Sequence, residues 1–277
     1  MRVLRTCCAC LLATLPLYAG QAEAGAIPVQ LGVAGSFGVL AGSTVTNTGP
    51  SVIDGDLGVA AGSAIIGFPP GLVTDGAVHA GDSRAAMAQA DLGNAYTAAA
   101  AQPPGVILTG QDLGGLSLTP GVYTFATSAQ LTGTLTLNGG NVSGAVFLFQ
   151  IGSTLTTATA SSVLLTQGAS GANVFWQVGS SATLGAASQF RGNILAETTI
   201  TLDNSASIDC GRALARTGGV TLDNNAIAAF TCRTGALPTG VPETGSALLL
   251  ATAFVIGALR TRLAGYRPTL SPRALPA

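Results

Sequence analysis

Two short motifs recur in the second half of the chain, and this repetition limits the folds that the sequence can adopt. The motif FQIGS at residues 149–153 returns as WQVGS 27 residues later, and TLDN at residues 201–204 returns 20 residues later. Repeats with periods between about 20 and 50 residues are typical of stacked coils, in which each coil buries its inward side chains only against its neighbours. The unequal offsets indicate coils of unequal length. The sequence therefore predicts an irregular β-solenoid.

Composition supports a folded, β-rich chain and excludes one class of partner. Charged residues make up 8% of the 277 residues, against about 25% in ordinary globular proteins, but 48% of the residues are hydrophobic. Disordered chains combine low hydrophobicity with high net charge, which is not the case here. Between residues 25 and 236 there are five Arg and ten Asp or Glu, so this range lacks the basic stripe that nucleic-acid binding requires.

One segment has the pattern of an α-helix. Asp82 or Ser83 can cap its N-terminus, because both side chains can accept a hydrogen bond from the first turn. The run 84–101 is rich in Ala, and the sequence PPG at residues 103–105 ends it. The apolar positions at helical spacing are Ala88, Leu92, Ala95 or Tyr96, and Ala99. Such a narrow stripe of small side chains predicts close packing of the helix against a flat sheet.

The N-terminus predicts export. Residues 1–24 carry two Arg before an apolar run and end in small residues, as a secretory signal peptide does. Removal of this segment leaves Cys210 and Cys232, and a single pair of Cys in an oxidising compartment predicts one disulfide between them. A metal site would need more ligands than these two Cys and the distant His79 supply, so no metal or other cofactor is expected.

The C-terminus resembles the bacterial PEP-CTERM sorting tail. A linker at residues 237–246 contains its motif, which consists of Val241, Pro242, Glu243, Thr244 and Gly245. A hydrophobic anchor with a basic stop follows at residues 247–263, and a short tail at residues 264–277 ends the sequence. The apolar run reaches only about 20 Å as a helix, against the roughly 30 Å core of a bilayer, so the anchor is marginal. The resemblance implies a processing protease as a partner and a location at the cell surface, and a sortase-type signal is the alternative interpretation of the same motif.

Several motifs, taken in order, resemble the DUF3494 family of microbial ice-binding proteins. They are LGVAGSFGVLAGS at residues 31–43, TVTNTG at 44–49, IDGDLGV at 53–59, IGF at 66–68, the Ala-rich helix, GRALA at 211–215 and VTLD at 220–223. The similarity covers roughly residues 29 to 231. It implies that residues 25–236 form a mostly β domain, a discontinuous right-handed β-helix of triangular section with the α-helix packed along one face. It also implies that the N-terminal coils lie beside the last coil in sequence.

The same resemblance implies ice as the ligand, and the alternation of the strands indicates which side chains would reach it. Successive side chains on a strand point to opposite faces, so both Thr of TLT at residues 154–156 point outward when the Leu between them points inward. Applied to four successive coils, this logic predicts an ice-binding set that comprises Thr154, Thr156, Ser181, Thr183, Thr199, Thr201 and Thr221. Asp203 and Asp223 bring the first charges, at the edge of this set.

The spacing of such a surface gives a physical reason for binding ice. Outward side chains two residues apart lie about 6.5–7 Å apart along a strand, and neighbouring coils lie about 4.8 Å apart, both near oxygen repeats on ice planes. Thr is stiff at χ1, so its hydroxyl and methyl groups keep their positions with little loss of entropy on binding. We therefore expect a flat Thr- and Ser-rich face that binds an ice crystal surface, in a protein that acts as a monomer.

Other functional classes receive less support. The acidic residues are spread singly, whereas a polysaccharide lyase or hydrolase clusters its carboxylates in one groove, so no enzyme is expected. Asp54 and Asp56 offer too few oxygens for calcium, and a turn is expected there. The aromatic residues expected in the core are Phe125, Phe147, Phe149, Phe175 and Trp176. The alternative to ice binding is a cell-surface adhesin or matrix component that binds cell-envelope polysaccharide and uses its Thr face only as a scaffold.

Overall fold

The computed structural model describes residues 25–230. The predicted signal peptide, Cys232, the sorting motif and the hydrophobic anchor lie outside these residues. The strands of the described range are β1 Phe37–Ala41, β2 Thr44–Thr48, β3 Val52–Asp54, β4 Asp56–Val59, β5 Ala64–Ile66, β6 Leu72–Thr74, β7 Val78–Ala80, β8 Val106–Ile107, β9 Ser117–Leu118, β10 Gly121–Phe125, β11 Ala129–Leu131, β12 Thr134–Asn138, β13 Phe147–Ile151, β14 Leu155–Thr157, β15 Ser162–Thr166, β16 Val174–Val178, β17 Ala182–Leu184, β18 Gln189–Ala196, β19 Ile200–Leu202, β20 Ser207–Ala215, β21 Val220–Asp223 and β22 Ala226–Ala228. The helix α1 is Ser83–Ala100, and 3-10 turns lie at Gly32–Ser36 and Gly171–Asn173.

The strands pair in parallel and form three walls of a coiled stack. The first wall, called the threonine wall below, is the seven-stranded sheet with the order β11-β14-β17-β19-β21-β2-β5. The helix wall consists of β8, β10, β13, β16, β1, β4 and β7 with the ends of β18 and β20. The third wall consists of β9, β12, β15, β22, β3 and β6 with the beginnings of β18 and β20. This arrangement confirms the prediction of a β-helix.

Two long strands join the helix wall to the third wall by turning a corner. At the beginning of β18, Gln189 pairs with Ser162 of β15, whereas Asn193 further along pairs with Phe175 of β16. The register against β20 shifts between these two parts of the strand, at Gly192. Gly192 has a φ of 104°, a conformation that is open to glycine and closed to most other residues.

The order of the coils in space differs from their order in the sequence. Strand β1 lies between β20 and β4, β2 lies between β21 and β5, and β22 pairs with β3. The first coils of the chain therefore continue the stack beyond its last coil, as the resemblance implied. The sequence repeats mark strands that are adjacent in the sheet, because Phe149 pairs with Trp176 and Thr201 pairs with Thr221.

Aromatic side chains fill the middle of the stack. The ring of Trp176 stacks on Phe149 at a centroid distance of 3.9 Å and lies 4.8 Å from Phe190, while Phe149 also stacks on Tyr123 at 5.3 Å. The predicted burial of the five aromatic residues is confirmed, since each is at most 3% exposed. Phe175 differs from the other four because it belongs to the cluster between the helix and its wall, not to the interior of the stack.

Helix α1 covers the helix wall. Asp82 caps it, because its Oδ1 accepts a hydrogen bond from the N–H of Ala85 at 2.9 Å. The buried stripe consists of Ala85, Ala88, Leu92, Ala95 and Ala99, and the last four pack with Phe37, Leu148, Phe175, Leu195 and Leu214. The small side chains let the helix lie close to the sheet, and this wall is therefore closed to large ligands. Among residues 25–230 there is no helix with the length and apolar character needed to cross a membrane.

Candidate functional site

The threonine wall presents one continuous row of aligned side chains on its outer surface. Each strand of this wall contributes one outward residue to the row, and these residues pair in register from coil to coil. The row, called the central column, runs Gln130, Thr156, Thr183, Thr201, Thr221, Thr46 and Ile66. Each of the seven side chains is at least partly exposed. Five consecutive coils thus carry Thr at the same position.

A second row lies two residues earlier on the same surface. This row, called the outer column, runs Ser128, Thr154, Ser181, Thr199, Gly219, Thr44 and Ala64, and all of its members are at least partly exposed. The two columns together form what we call the threonine face. All seven residues of the predicted ice-binding set lie on this face, in two columns and four neighbouring coils.

Sequence reasoning missed the part of the threonine face that comes from distant coils. Thr44 and Thr46 continue the columns beyond Gly219 and Thr221, and Ser128 and Gln130 extend them at the opposite end. The alternation of TVTNT at residues 44–48 was a signal for the first pair. This alternation could not by itself place Thr44 and Thr46 on the threonine face, because it does not reveal that β2 lies beside β21. Only the family resemblance implied that contact.

The residues between the two columns anchor the wall to the core. Val45, Leu155, Ala182, Ile200 and Val220 point inward, and each is fully buried in the core of the stack. Every one of these residues is flanked by outward side chains, so burial of one position fixes the direction of its neighbours. The threonine face is therefore held in place by the core.

Four of the five hydroxyl groups of the outer column bond to one another in two pairs, and Thr44 is the exception. Thr154 Oγ1 donates to Ser128 Oγ at 2.9 Å, and Thr199 Oγ1 donates to Ser181 Oγ at 2.9 Å. Ser181 Oγ in turn lies 2.7 Å from the hydroxyl of Thr198, just before the outer column. In the central column, the Thr hydroxyls form no side-chain hydrogen bonds to other residues of the range 25–230.

Two glycines interrupt the outer column and the position beside it. A Cβ atom at Gly218 would lie 2.6 Å from the carbonyl oxygen of Thr198 and 2.8 Å from the methyl carbon of Thr199, so no side chain fits there. A Cβ atom at Gly219 would lie 3.2 Å from the hydroxyl of Thr44. The outer column therefore has a gap at Gly219, and hydroxyl groups of Ser43 and Thr44 line it.

Charge is confined to the edges of the threonine face. Neither column contains an ionisable side chain. Asp203 and Asp223 follow the inward Leu of their strands, at the edge where the sequence predicted them, and Asp112 lies beyond Gln130 at the end of the central column. Burial raises the pKa of Asp112, but hydrogen bonds from the N–H of Thr132, the N–H of Gly114 and the Thr132 hydroxyl outweigh it and lower the pKa overall.

The pair Asp54 and Asp56 lies away from this surface. Asp56 accepts hydrogen bonds from Ser36 Oγ at 2.9 Å, from Arg84 Nε at 3.1 Å and from the N–H of Ala77 at 3.0 Å. Its carboxylate therefore joins β4 to the beginning of the helix. Within residues 25–230 there is no group of three or more His, Cys, Asp and Glu side chains that could hold a metal ion.

Cys210 lies on β20, close to the corner of the third wall. It is disulfide-bonded, and its partner lies outside the described residues. The carbonyl oxygen of Cys210 lies near Gly171, where a Cβ atom would come within 2.6 Å of it. Pairing of Cys210 with Cys232 stays a prediction.

Comparisons with known proteins identify the family of this fold and surface. Residues 39–228 match the ice-binding-like family. The chain is 51% identical over 220 residues to an ice-binding protein of Nostoc sp. (strain HG1), with 79% of this chain and 81% of that protein covered. It is 35% identical over 233 residues to an ice-binding protein of Colwellia sp., with 78% and 89% covered. The crystal structure of an ice-binding protein from the Antarctic ascomycete Antarctomyces psychrotrophicus matches with a TM-score of 0.70 and 43% identity, covering 73% of this chain and 98% of that one. The chain belongs to the ice-binding-like family.

Proposed function

We propose that this protein binds ice through the threonine face, without catalysis. The observation that carries the proposal is the coil-to-coil register of the central column, in which Thr recurs five times in succession from Thr156 to Thr46. Parallel strands repeat about every 4.8 Å, and outward residues on one strand lie about 6.5–7 Å apart. The two columns therefore form a grid of hydroxyl and methyl groups with spacings close to those of water molecules on ice.

The character of the side chains suits binding to an ordered water lattice. A charged group would impose its own hydration shell, and the two columns contain none. Thr has a stiff χ1, so ordering the surface on binding loses little side-chain entropy. Membership of the ice-binding-like family favours this function over that of an adhesin with a solvated Thr scaffold.

Export and surface attachment belong to the same proposal. The signal-peptide pattern of residues 1–24 supports secretion, and the motif Val241-Pro242-Glu243-Thr244-Gly245 supports processing by a sorting protease. A protein held at the cell surface would attach the cell to ice, while a released one would act on ice in the surroundings. Intact mass of the protein isolated from cells and medium tests this part, because cleavage within or beside the motif would remove the apolar anchor. A mature protein that retains residues 247–277 would contradict processing.

A matched pair of substitutions tests the proposed surface. Thr156→Tyr places a large ring in the central column, where it would hold ice away from the neighbouring Thr side chains. Thr134→Tyr makes the same change at an exposed position of the third wall. We expect Thr156→Tyr to remove most of the thermal hysteresis and recrystallisation inhibition, and Thr134→Tyr to retain both, with equal melting temperatures. Equal activity of the two variants would place the ice-binding surface elsewhere.

A further inference from the structure

The two columns of the threonine face differ in the state of their hydroxyl groups. Thr199 donates its only hydroxyl proton to Ser181, and Ser181 can then donate its own proton to Thr198 at 2.7 Å. A hydroxyl group has one proton and two acceptor lone pairs, so Thr199 has no donor left for an external water molecule. Thr154 gives its proton to Ser128 in the same way.

The side chain of Thr199 is fixed on both sides. Its hydroxyl reaches Ser181 on the neighbouring coil, and its methyl carbon lies over Gly218, where a Cβ atom would approach it to 2.8 Å. A rotation about χ1 would break the hydrogen bond and move the methyl group from the space that Gly218 leaves. The rotamer of Thr199 is thus determined by contacts within the wall.

The hydroxyl groups of the central column have no such neighbours. Thr183 and Thr201 are aligned with each other, yet neither hydroxyl is hydrogen-bonded to another side chain of the described chain. Each keeps one donor and two acceptor sites, and it can bond to lattice water in either sense.

We infer that the two columns have different roles in ice binding. The central-column hydroxyls bond to the ice lattice, whereas Ser181 is a positioning residue that fixes Thr198 and Thr199, so that Thr199 of the outer column is presented through its methyl group. This inference rests on the proposed function of the threonine face. It assigns to Ser181, a small residue that dilutes the Thr pattern, the function of joining two Thr hydroxyls.

A double-mutant cycle on the full chain tests the assignment. Ser181→Ala removes the shared acceptor, Thr199→Val removes the donor while it keeps the branched shape, and Thr183→Val removes a central-column hydroxyl. We expect each single variant to lower thermal hysteresis severalfold. Thr199→Val should have little further effect in the Ser181→Ala background, because its hydroxyl acts through Ser181, whereas Thr183→Val should lower hysteresis by the same factor in both backgrounds.

Two further measurements separate positioning from general stability. Ser181→Thr keeps a hydroxyl at the same position and should restore hysteresis, and the χ1 populations of Thr198 and Thr199, measured by NMR scalar couplings, should broaden in Ser181→Ala at an unchanged melting temperature. Independent effects of Ser181→Ala and Thr199→Val, or no effect of either, would overturn the inference. Full activity of Thr156→Tyr would instead count against the threonine face itself, so the two failures are distinguishable.

Discussion

The threonine wall and the third wall are built from the same coils, yet only the first presents a surface suited to ice. Hydrogen-bonded hydroxyls occur on both, since Thr134 Oγ1 lies 2.9 Å from Ser162 Oγ on the third wall. Further along the third wall, Leu164 has an exposed apolar side chain, and the next coils carry a largely buried ion pair of Arg191 and Asp209, whose charged atoms lie 3.6 Å apart. Thr on a strand is therefore not sufficient for an ice-binding surface, and the property that distinguishes the threonine wall is the uninterrupted repetition of uncharged side chains.

The difference between the two walls has a cause in the backbone. Strands β18 and β20 turn the corner of the third wall in mid-strand, and the 3-10 turn at Gly171–Asn173 lies close to Cys210 there. The threonine wall has short strands without corners, and six of its seven strands are anchored by a buried inward residue such as Ile200. The corners of the coils therefore lie at the borders of the threonine wall and not within its strands.

The largest expected effect is that of a bulky residue in the middle of the threonine face. Thr201→Tyr should abolish measurable thermal hysteresis, because Thr201 has a Thr on both neighbouring coils and the ring would lift ice from all three. Gln130→Tyr, at the end of the same column, should leave substantial activity. Hysteresis at equal protein concentration measures both variants, with melting temperature as the control. Equal losses of hysteresis in the two variants would contradict the expectation that central positions of the column contribute more to ice binding than its end.

A change on the third-wall strand β20 should affect stability and not ice binding. Cys210→Ser removes the disulfide, and for the predicted pairing with Cys232 the loss of unfolding free energy is about 3 kcal/mol in the chain-entropy model. Calorimetry should show a lower melting temperature, while hysteresis near 0 °C stays at the wild-type level. Titration of free thiols in the exported protein provides the control. Loss of hysteresis in the folded variant would show that the third wall supports the threonine face more directly than we propose.

Acid should lower the stability of the fold before it affects the threonine face, because neither column of that face contains an ionisable side chain. The pKa of Asp82 is lowered by the hydrogen bond from the N–H of Ala85 and by His79. Burial raises the pKa of Asp56, but hydrogen bonds from the N–H of Ala77, from Ser36 and from Arg84 outweigh it, so the pKa of Asp56 is also lowered. A carboxylate with a lowered pKa stabilises the fold fully above the unfolded value of about 3.9 and loses this contribution as the pH falls through the folded value. We expect the melting temperature to fall below about pH 4. Hysteresis at 0 °C should stay constant from neutral pH down to the onset of unfolding, and a decline before that onset would contradict an uncharged binding surface.

The smallest expected effect is an extension of the central column. Ile66 occupies the last position of this column, beside Thr46, and is 57% exposed. Ile66→Thr keeps the β-branched shape and adds a sixth hydroxyl to the row, so hysteresis should rise slightly. The matched change on the third wall is Leu72→Thr, which lies on the same terminal coil and is 58% exposed. An equal rise in both variants would indicate a general effect of removing exposed apolar surface.

Local sequence patterns predicted most of the structure and part of the site. Periodicity alone predicts the Ala-rich helix, the inward Leu155 and the outward Thr156. Burial of one face of a helix or strand requires apolar residues to recur at the spacing of that element. Phe175 shows the limit of this reasoning, since its apolar side chain faces the helix and not the interior of the stack. The contribution of Thr44 and Thr46 depends on a contact between the first and last coils, which no local pattern encodes.

The contact between β2 and β21 has a consequence for the way the protein acquires its activity. Val45 pairs with Val220, so a strand from the beginning of the domain and a strand from its end are neighbours within the threonine wall. Topologies rich in contacts between distant segments fold slowly, because the closure of a long loop precedes the contacts that stabilise it. During synthesis, β1 and β2 can complete the stack only after β20 and β21 have been made. Competence for ice therefore arises in one late step, when the coil that contains β21 docks against the coil that contains β2.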